Sequence, residues 1–371
     1  MRKPRSLELD VLRGLAVTLV LGVHVPAYPI WSQIGGIGVD LFFVLSGFLI
    51  STLLFVEYRQ TQKIRLARFF GRRVLKLYPS FYLMLGASLT YCIFWHFRFN
   101  TRQLLGELFL CQNYIGQLWG HTWSLAVEEH FYIFLPLLLT LLMRANRGAK
   151  DPFWLIPYIA LIIAIVCLSL RLWTSHRFPG DLRLIHYEPS HLRFDGLFTG
   201  VLIGYLYNFH SDILAAIMNS SWRLPFSFLG VIALSPMLIF PGNLEFAYTV
   251  GFTFTTIGFA VVLLLALFPD RKFRPLTGKP SMAARGFAFM GRYSYTIYLW
   301  HVPLAMMSAW IETETRMNQY LLHALYCAAS VGVGVGASKL LEQPVLRLRE
   351  RLLPNLAPPP RVLTPENVPA F

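Results

Sequence analysis

Charged side chains are scarce in this chain of 371 residues: Asp, Glu, Lys and Arg together make 14%, against 55% apolar residues. That balance, with a mean hydropathy of +0.51, excludes a soluble globule and supplies far more apolar length than one core requires. Carboxylates are scarcer still. There are 19 Asp and Glu against 33 Lys and Arg, a formal net charge of +14. The basic residues fall in short segments between apolar runs rather than in one stripe or groove, which argues against a nucleic-acid partner and for topology signals. Only four cysteines occur, Cys92, Cys111, Cys167 and Cys327. They lack metal-ligand spacing, so neither a metal site nor a disulfide framework is expected, only reduced, structural thiols. No period of about 20 to 50 residues repeats. The basic start MRKPR leads into an apolar run that holds Asp10 and Arg13 and has no small-residue cleavage site, so no removable signal peptide is expected.

Long apolar runs are what the chain does have. Ten are long enough to span a bilayer, near 7–26, 36–56, 74–95, 125–143, 153–172, 194–209, 223–240, 246–268, 287–310 and 319–341. If ten spans alternate, the N-terminus, the 57–76, 144–150 and 271–285 segments and the C-terminal tail share one side. These hold most of the basic residues, whereas the opposite side receives only Arg98, Arg102, Arg171, Arg177, Arg183, Arg193 and Arg316. The expected fold is therefore an all-α polytopic membrane protein, a bundle of about ten transmembrane helices with both termini cytoplasmic. The bundle is expected over 1–345, with 346–371 as a basic, proline-rich cytoplasmic tail.

Ionisable residues inside apolar runs cost several kcal/mol each and usually face a protein interior or a cavity. The first run, LDVLRGLAVTLVLGVH, carries Arg13 and His24 eleven residues apart. On a continuous helix that step returns to within about 20° of the same face, about 16 Å further along, and Asp10 sits one turn before Arg13 on nearly the same stripe. Taken singly, Arg13 reads equally well as a snorkelling anchor and His24 as an interfacial histidine beside Pro26. Their shared face favours function.

Further candidates follow in chain order. Asp40 sits near the start of the second run, where a helix dipole favours it, and the small pair Ser46 and Gly47 reads first as a helix-packing site. Arg68, Arg72, Arg73 and Lys76 crowd the start of the third run, before Pro79; positive-inside topology explains their charge, while forked arginine donors also suit phosphates. Glu128 and Glu129 in HTWSLAVEEHFY read as first-turn acids capped by Ser124, with adjacent side chains on different helix faces. Arg193 and Asp195 start the sixth run. His301 precedes Pro303 in the ninth, as His24 precedes Pro26, and packing at a proline kink is its first reading.

Together these motifs resemble the membrane-bound acyltransferase 3 family, ten-span bacterial enzymes that O-acylate surface sugars and some small molecules. The resemblance rests on the Arg13 to His24 spacing, GVDLFFVLSGFLI at 38–50, the basic cluster before Tyr78-Pro79, WSLAVEEHFY at 123–132, RFDGLFTG at 193–200, YSYTIYLWHVPL at 293–304, and Glu342 two residues before Pro344. It covers most of the chain, and Lys76 stands where the family usually has arginine. The resemblance implies a cytoplasmic acyl-CoA donor, acetyl-CoA first, whose phosphates are held by Arg13, Arg72, Arg73 and Lys76, with no metal. His24 is implied as general base or acyl-carrying nucleophile, with Glu128 orienting it or the acceptor hydroxyl. Asp40, Ser46, Glu129, Tyr132, Arg193, Asp195 and His301 are the expected acceptor-binding residues. The acceptor is a carbohydrate or small-molecule hydroxyl. No SGNH-type domain of the kind fused to some members is read here, so any partner in envelope glycan assembly is expected to be a separate chain.

Two other classes compete. A transporter or flippase also needs buried Arg, His and acidic residues, but no inverted repeat supports it. A ten-span glycosyltransferase or lipid-modifying enzyme would favour outer acidic and aromatic residues without the Arg-to-His line. The charge distribution gives the first prediction: reporters fused after Lys76 and Lys150 report cytoplasmic, and one at Gln117 reports extracytoplasmic. A Gln117 reporter shielded from the outside of intact cells contradicts the scheme.

Overall fold

The computed structural model describes residues 6–94, 100–180, 183–240, 243–269, 280–315 and 317–354, apart from the side chains of 91 and 92. The basic start at 1–5, Arg98, most of the 271–285 segment, Arg316 and the tail from 355 lie outside the described residues. Among the described residues every regular element is helical. Each apolar run overlaps a helix of at least 16 residues: α1 (Leu7–Gly22), α2 (Ile37–Thr61), α3 (Leu66–Phe94), α4 (Trp123–Ala145), α5 (Ile156–Arg177), α6 (Phe194–Phe209), α7 (Arg223–Ile239), α8 (Phe252–Leu267), α9 (Ser294–Thr315) and α10 (Gln319–Ala337), the ninth run being broken at Tyr293, where a separate helix, Met282–Arg292, ends.

Length and composition together are stricter than apolar runs alone. Among the described residues five helical stretches are long and apolar enough to cross a membrane: Ile37–Thr61, Trp123–Ala145, Ile156–Arg177, Leu244–Leu267 and Gln319–Leu352. A sixth is added if α6 and Ser211–Met218, bent by 101°, count as one. The shortfall has physical causes. At about 1.5 Å per residue, a 16-residue helix such as α1 is about 24 Å long and does not alone cover a hydrocarbon core of about 30 Å.

Several boundaries differ from the sequence expectation. The first helix stops at Gly22, and His24 lies beyond it in a tightened turn, where Val23, His24 and Val25 each donate three residues back, to Val20, Leu21 and Gly22. Pro26 lacks the N–H that would continue the ladder. At the other end, α10 runs through a wider π-type segment, Ser338–Glu342, into Gln343–Leu352, which packs on α3. A domain boundary at 345 therefore falls inside a helix. The fourth helix begins at Trp123, so Glu128 and Glu129 lie in its second turn rather than its first, and Ser124 bonds to the His121 carbonyl and the Tyr298 hydroxyl instead of capping it.

The core is organised around α2. Phe43, Phe55, Trp123, Phe131, Leu135, Phe153, Leu197, Phe198 and Val201 bury one cluster among α2, α4, α5 and α6. The α2–α6 contact is close because it is glycine-lined. A Cβ at Gly47 would run into the Leu197 carbonyl and one at Gly200 into the Val44 carbonyl, the small-residue packing that membrane helices use. Gly200→Ala is therefore expected to lower the melting temperature in detergent, at a cost of about 1–3 kcal/mol for overpacking. Gly86→Ala, with nothing within 4 Å of its Cβ, is expected to leave it unchanged or raise it.

Candidate functional site

Three adjoining cavities run along α1. The first, about 190 Å³, opens beside Ser6 and Asp10 and is lined by Arg13, Lys76, Arg292 and Glu342. Arg13 and Lys76 also line the second, about 90 Å³, together with Arg73, Ser46, Glu128, Tyr132 and Ser294. Val39 and Tyr298 line both the second and the third, about 310 Å³, which holds His24, Asp40, His121, Arg183 and His301. The straight Arg13-to-His24 line expected of one helix is thus a sequence of chambers.

The second chamber gathers cations without neutralising them. Arg13 donates from Nε and Nη2 to the Ser294 hydroxyl at 3.2 and 3.1 Å. Arg73 lies 5.0 Å from the centre of the Tyr132 ring and 5.6 Å from that of Phe69. Among the described residues no carboxylate forms an ion pair with Arg73 or Lys76. The chamber's one carboxylate, Glu128, accepts from Ser46 at 2.7 Å and from Tyr132 at 2.5 Å, so it does not serve His24. Three cations against one carboxylate leave a positive lining suited to phosphate. Arg72 is elsewhere: it pairs with Glu350 at 2.8 Å and donates to the Leu353 carbonyl, fastening α3 to the C-terminal helix. Glu129 does not line this chamber and accepts from Tyr78 at 3.2 Å.

Three imidazoles meet in the third chamber. The ring centres of His24 and His301 are 5.4 Å apart and those of His121 and His301 5.0 Å apart. His301 Nδ1 bonds the Tyr298 carbonyl at 2.5 Å and His121 Nε2 the Leu299 carbonyl at 3.2 Å. Burial, with the charges of His24 and Arg183 adding to it, holds the His121 imidazole down at about 3, against the opposing bond to the Leu299 carbonyl. It is therefore neutral at ordinary pH. The loop that presents it hangs on a buried carboxylate, since Glu107 accepts from Leu118 N, Trp119 N and the Thr122 hydroxyl. Burial pushes Glu107 up to about 7 despite these donors. Among the described residues no group of three or more His, Cys, Asp or Glu is arranged to hold a metal ion.

A family model described as an acyltransferase domain matches residues 6–337. The chain belongs to this acyltransferase family. It is 27% identical over 369 residues to the O-acetyltransferase OatA of Staphylococcus aureus, covering 93% of this chain and 58% of the relative. It is 25% identical over 361 residues to the peptidoglycan O-acetyltransferase OatA of Listeria monocytogenes, covering 91% and 55%. The chain thus spans little more than half the length of these curated relatives. No solved structure matches it.

The remaining expected site residues of this acyltransferase-family chain divide by charge pairing. Asp40 binds Arg193 at 2.5 Å and Asp195 binds Arg171 at 2.8 Å, all four buried. Arg193 also lies 3.5 Å from the centre of the Phe252 ring. The charges expected to hold an acceptor are thus ion-paired within the protein, and Asp40 also lines the histidine chamber. Sequence reasoning missed Arg171 as the partner of Asp195 and His121 as the third imidazole. Arg171 lies within the apolar α5 away from any basic cluster, and His121 opens the stretch HTWSLAVEEHFY in the loop before α4. Removing one partner leaves the other charge buried and unpaired, at about 3–5 kcal/mol. Arg171→Met should therefore lower the melting temperature sharply, while Arg171→Met combined with Asp195→Leu recovers much of the loss.

Proposed function

We propose that this protein is an O-acyltransferase that takes an acyl group, acetyl first, from cytoplasmic acyl-CoA and delivers it to a carbohydrate hydroxyl on the opposite side of the bacterial cytoplasmic membrane. Peptidoglycan sugar is the first candidate acceptor, by likeness to the Listeria relative. The proposed topology is ten helices with both termini cytoplasmic. The observation that carries the reading is the partition itself: a cationic chamber and a histidine chamber meeting at Val39 and Tyr298. A CoA donor has this division, with anionic phosphates at one end and a neutral thioester on a long arm at the other.

In this reading Arg13, Arg73 and Lys76 hold the phosphates and the pantetheine arm passes Val39 and Tyr298. His24 takes the proton of the acceptor hydroxyl as its oxygen attacks the thioester carbonyl. The C–S bond breaks, and the proton returns to the thiolate, giving an ester and free CoA thiol. Glu128 acts through Ser46 and Tyr132, fixing the wall of the cationic chamber rather than the base. Arg72 is left out of the clamp because Glu350 holds it.

His24→Ala is expected to cut acyl transfer per folded molecule by about 10² to 10⁴-fold, the range a general base contributes, with labelled acyl-CoA binding unchanged. Arg73→Ala with Lys76→Ala is expected to weaken that binding and leave melting temperature near wild type. Near-normal specific activity in the first variant, or equal donor affinity in the second, contradicts the assignment.

A further inference from the structure

His24 lacks the partner a working imidazole usually has. A catalytic histidine is ordinarily oriented by a hydrogen bond at its other nitrogen, most often to a carboxylate or carbonyl, which sets the tautomer and raises basicity. Glu128 is committed to Ser46 and Tyr132, Asp40 to Arg193, and no hydrogen bond from the His24 ring to a described residue is formed. What stands next to it is His301, 5.4 Å between ring centres with the planes tilted by 55°.

The tautomer of His301 is fixed by its backbone bond. A carbonyl oxygen only accepts, so the bond of Nδ1 to the Tyr298 carbonyl requires the hydrogen on Nδ1, and in the neutral ring Nε2 is then a lone-pair acceptor. Pro303 lacks the N–H that would take up the Leu299 carbonyl, which His121 Nε2 bonds instead, and the bonds of the Tyr298 hydroxyl to His121 O and Ser124 hold this stretch of α9 in place. His301 is 1% exposed, so bulk water does not compete for that lone pair. A neutral acceptor also suits the depth of the site, since a carboxylate there would bring a charge whose desolvation must be offset.

We propose that His301 is the positioning residue of His24: its Nε2 accepts the His24 N–H through one water in the chamber they share, and leaves the other His24 nitrogen as the lone pair that meets the acceptor hydroxyl. This rests on the reading of His24 as the base. The groups that face the pair from other elements are His121, Arg183, Tyr187, Asp40, Tyr248 and Tyr326. Asp40 is paired with Arg193 and Arg183 with Glu188 at 3.1 Å.

The test uses the full chain in lipid nanodiscs and two readouts. One is carbethoxylation of His24 by diethyl pyrocarbonate across pH, followed by peptide mass spectrometry, which needs no substrate. The other is thiol release from acetyl-CoA with a peptidoglycan disaccharide as acceptor. In His301→Phe the midpoint of His24 modification is expected to move to lower pH by about one unit, a tenfold change in proton affinity. Turnover should fall about 10²-fold with KM for acetyl-CoA unchanged. His301→Gln, whose side-chain oxygen still accepts, should recover most of both, and melting temperatures of both variants report folding. An unchanged midpoint in folded His301→Phe overturns the proposal. If the midpoint shifts while the wild type releases no thiol, the positioning role stands and the acyl-CoA reading fails.

Discussion

A polar group at membrane depth must find its partner within the protein, and the arrangement of this bundle follows from how that requirement is met. Asp40 meets Arg193 and Asp195 meets Arg171, all but dry, with the Arg193 guanidinium laid on the Phe252 ring. These two pairs join α2, α5 and the start of α6 at one end of the molecule. The glycine-lined contact of Gly47 with Gly200 brings α2 and α6 together further along. Replacing such pairs by apolar residues can be neutral, whereas breaking one is costly; their effect is to fix where α2 stands relative to α5 and α6.

Against that background the groups left unneutralised stand out. Among the described residues Arg73 and Lys76 have no ion-paired carboxylate in the cavity they line, and the His24 ring has no hydrogen bond in the other. Both chambers are bounded by α1 and α2 and meet at Val39 and Tyr298. Tyr298 is tied on both sides of the meeting point, through its hydroxyl to Ser124 and the His121 carbonyl and through its own carbonyl to His301. A residue anchored in this way forms part of the wall that the two chambers share.

The sequence made some of this legible and hid the rest for identifiable reasons. Apolar periodicity located every long helix, because burial and lipid both demand it. Helix ends were misplaced where a turn overrides the pattern: the tightened turn after Gly22 took His24 off α1, and the start at Trp123 moved Glu128 out of the first turn. Charge alone located the basic cluster but could not separate Arg72, held by Glu350 from a helix almost 280 residues later, from Arg73 one position on. Ser46 and Gly47, adjacent and both small, proved to have different duties, a hydrogen bond to Glu128 and a backbone contact with α6. Partnerships over such distances in the chain leave no local signal, which is why Arg171 and His121 were passed over.

The central claim is that one donor molecule bridges the two chambers, and a structure with a bound non-hydrolysable thioether analogue of acetyl-CoA measures it most directly. The account predicts phosphate density against Arg13, Arg73 and Lys76, the pantetheine arm between Val39 and Tyr298, and the thioether sulfur in the chamber of His24 and His301. An analogue bound with its phosphates away from Arg73 and Lys76, or with its arm confined to the side of Tyr298 that faces them, would contradict it.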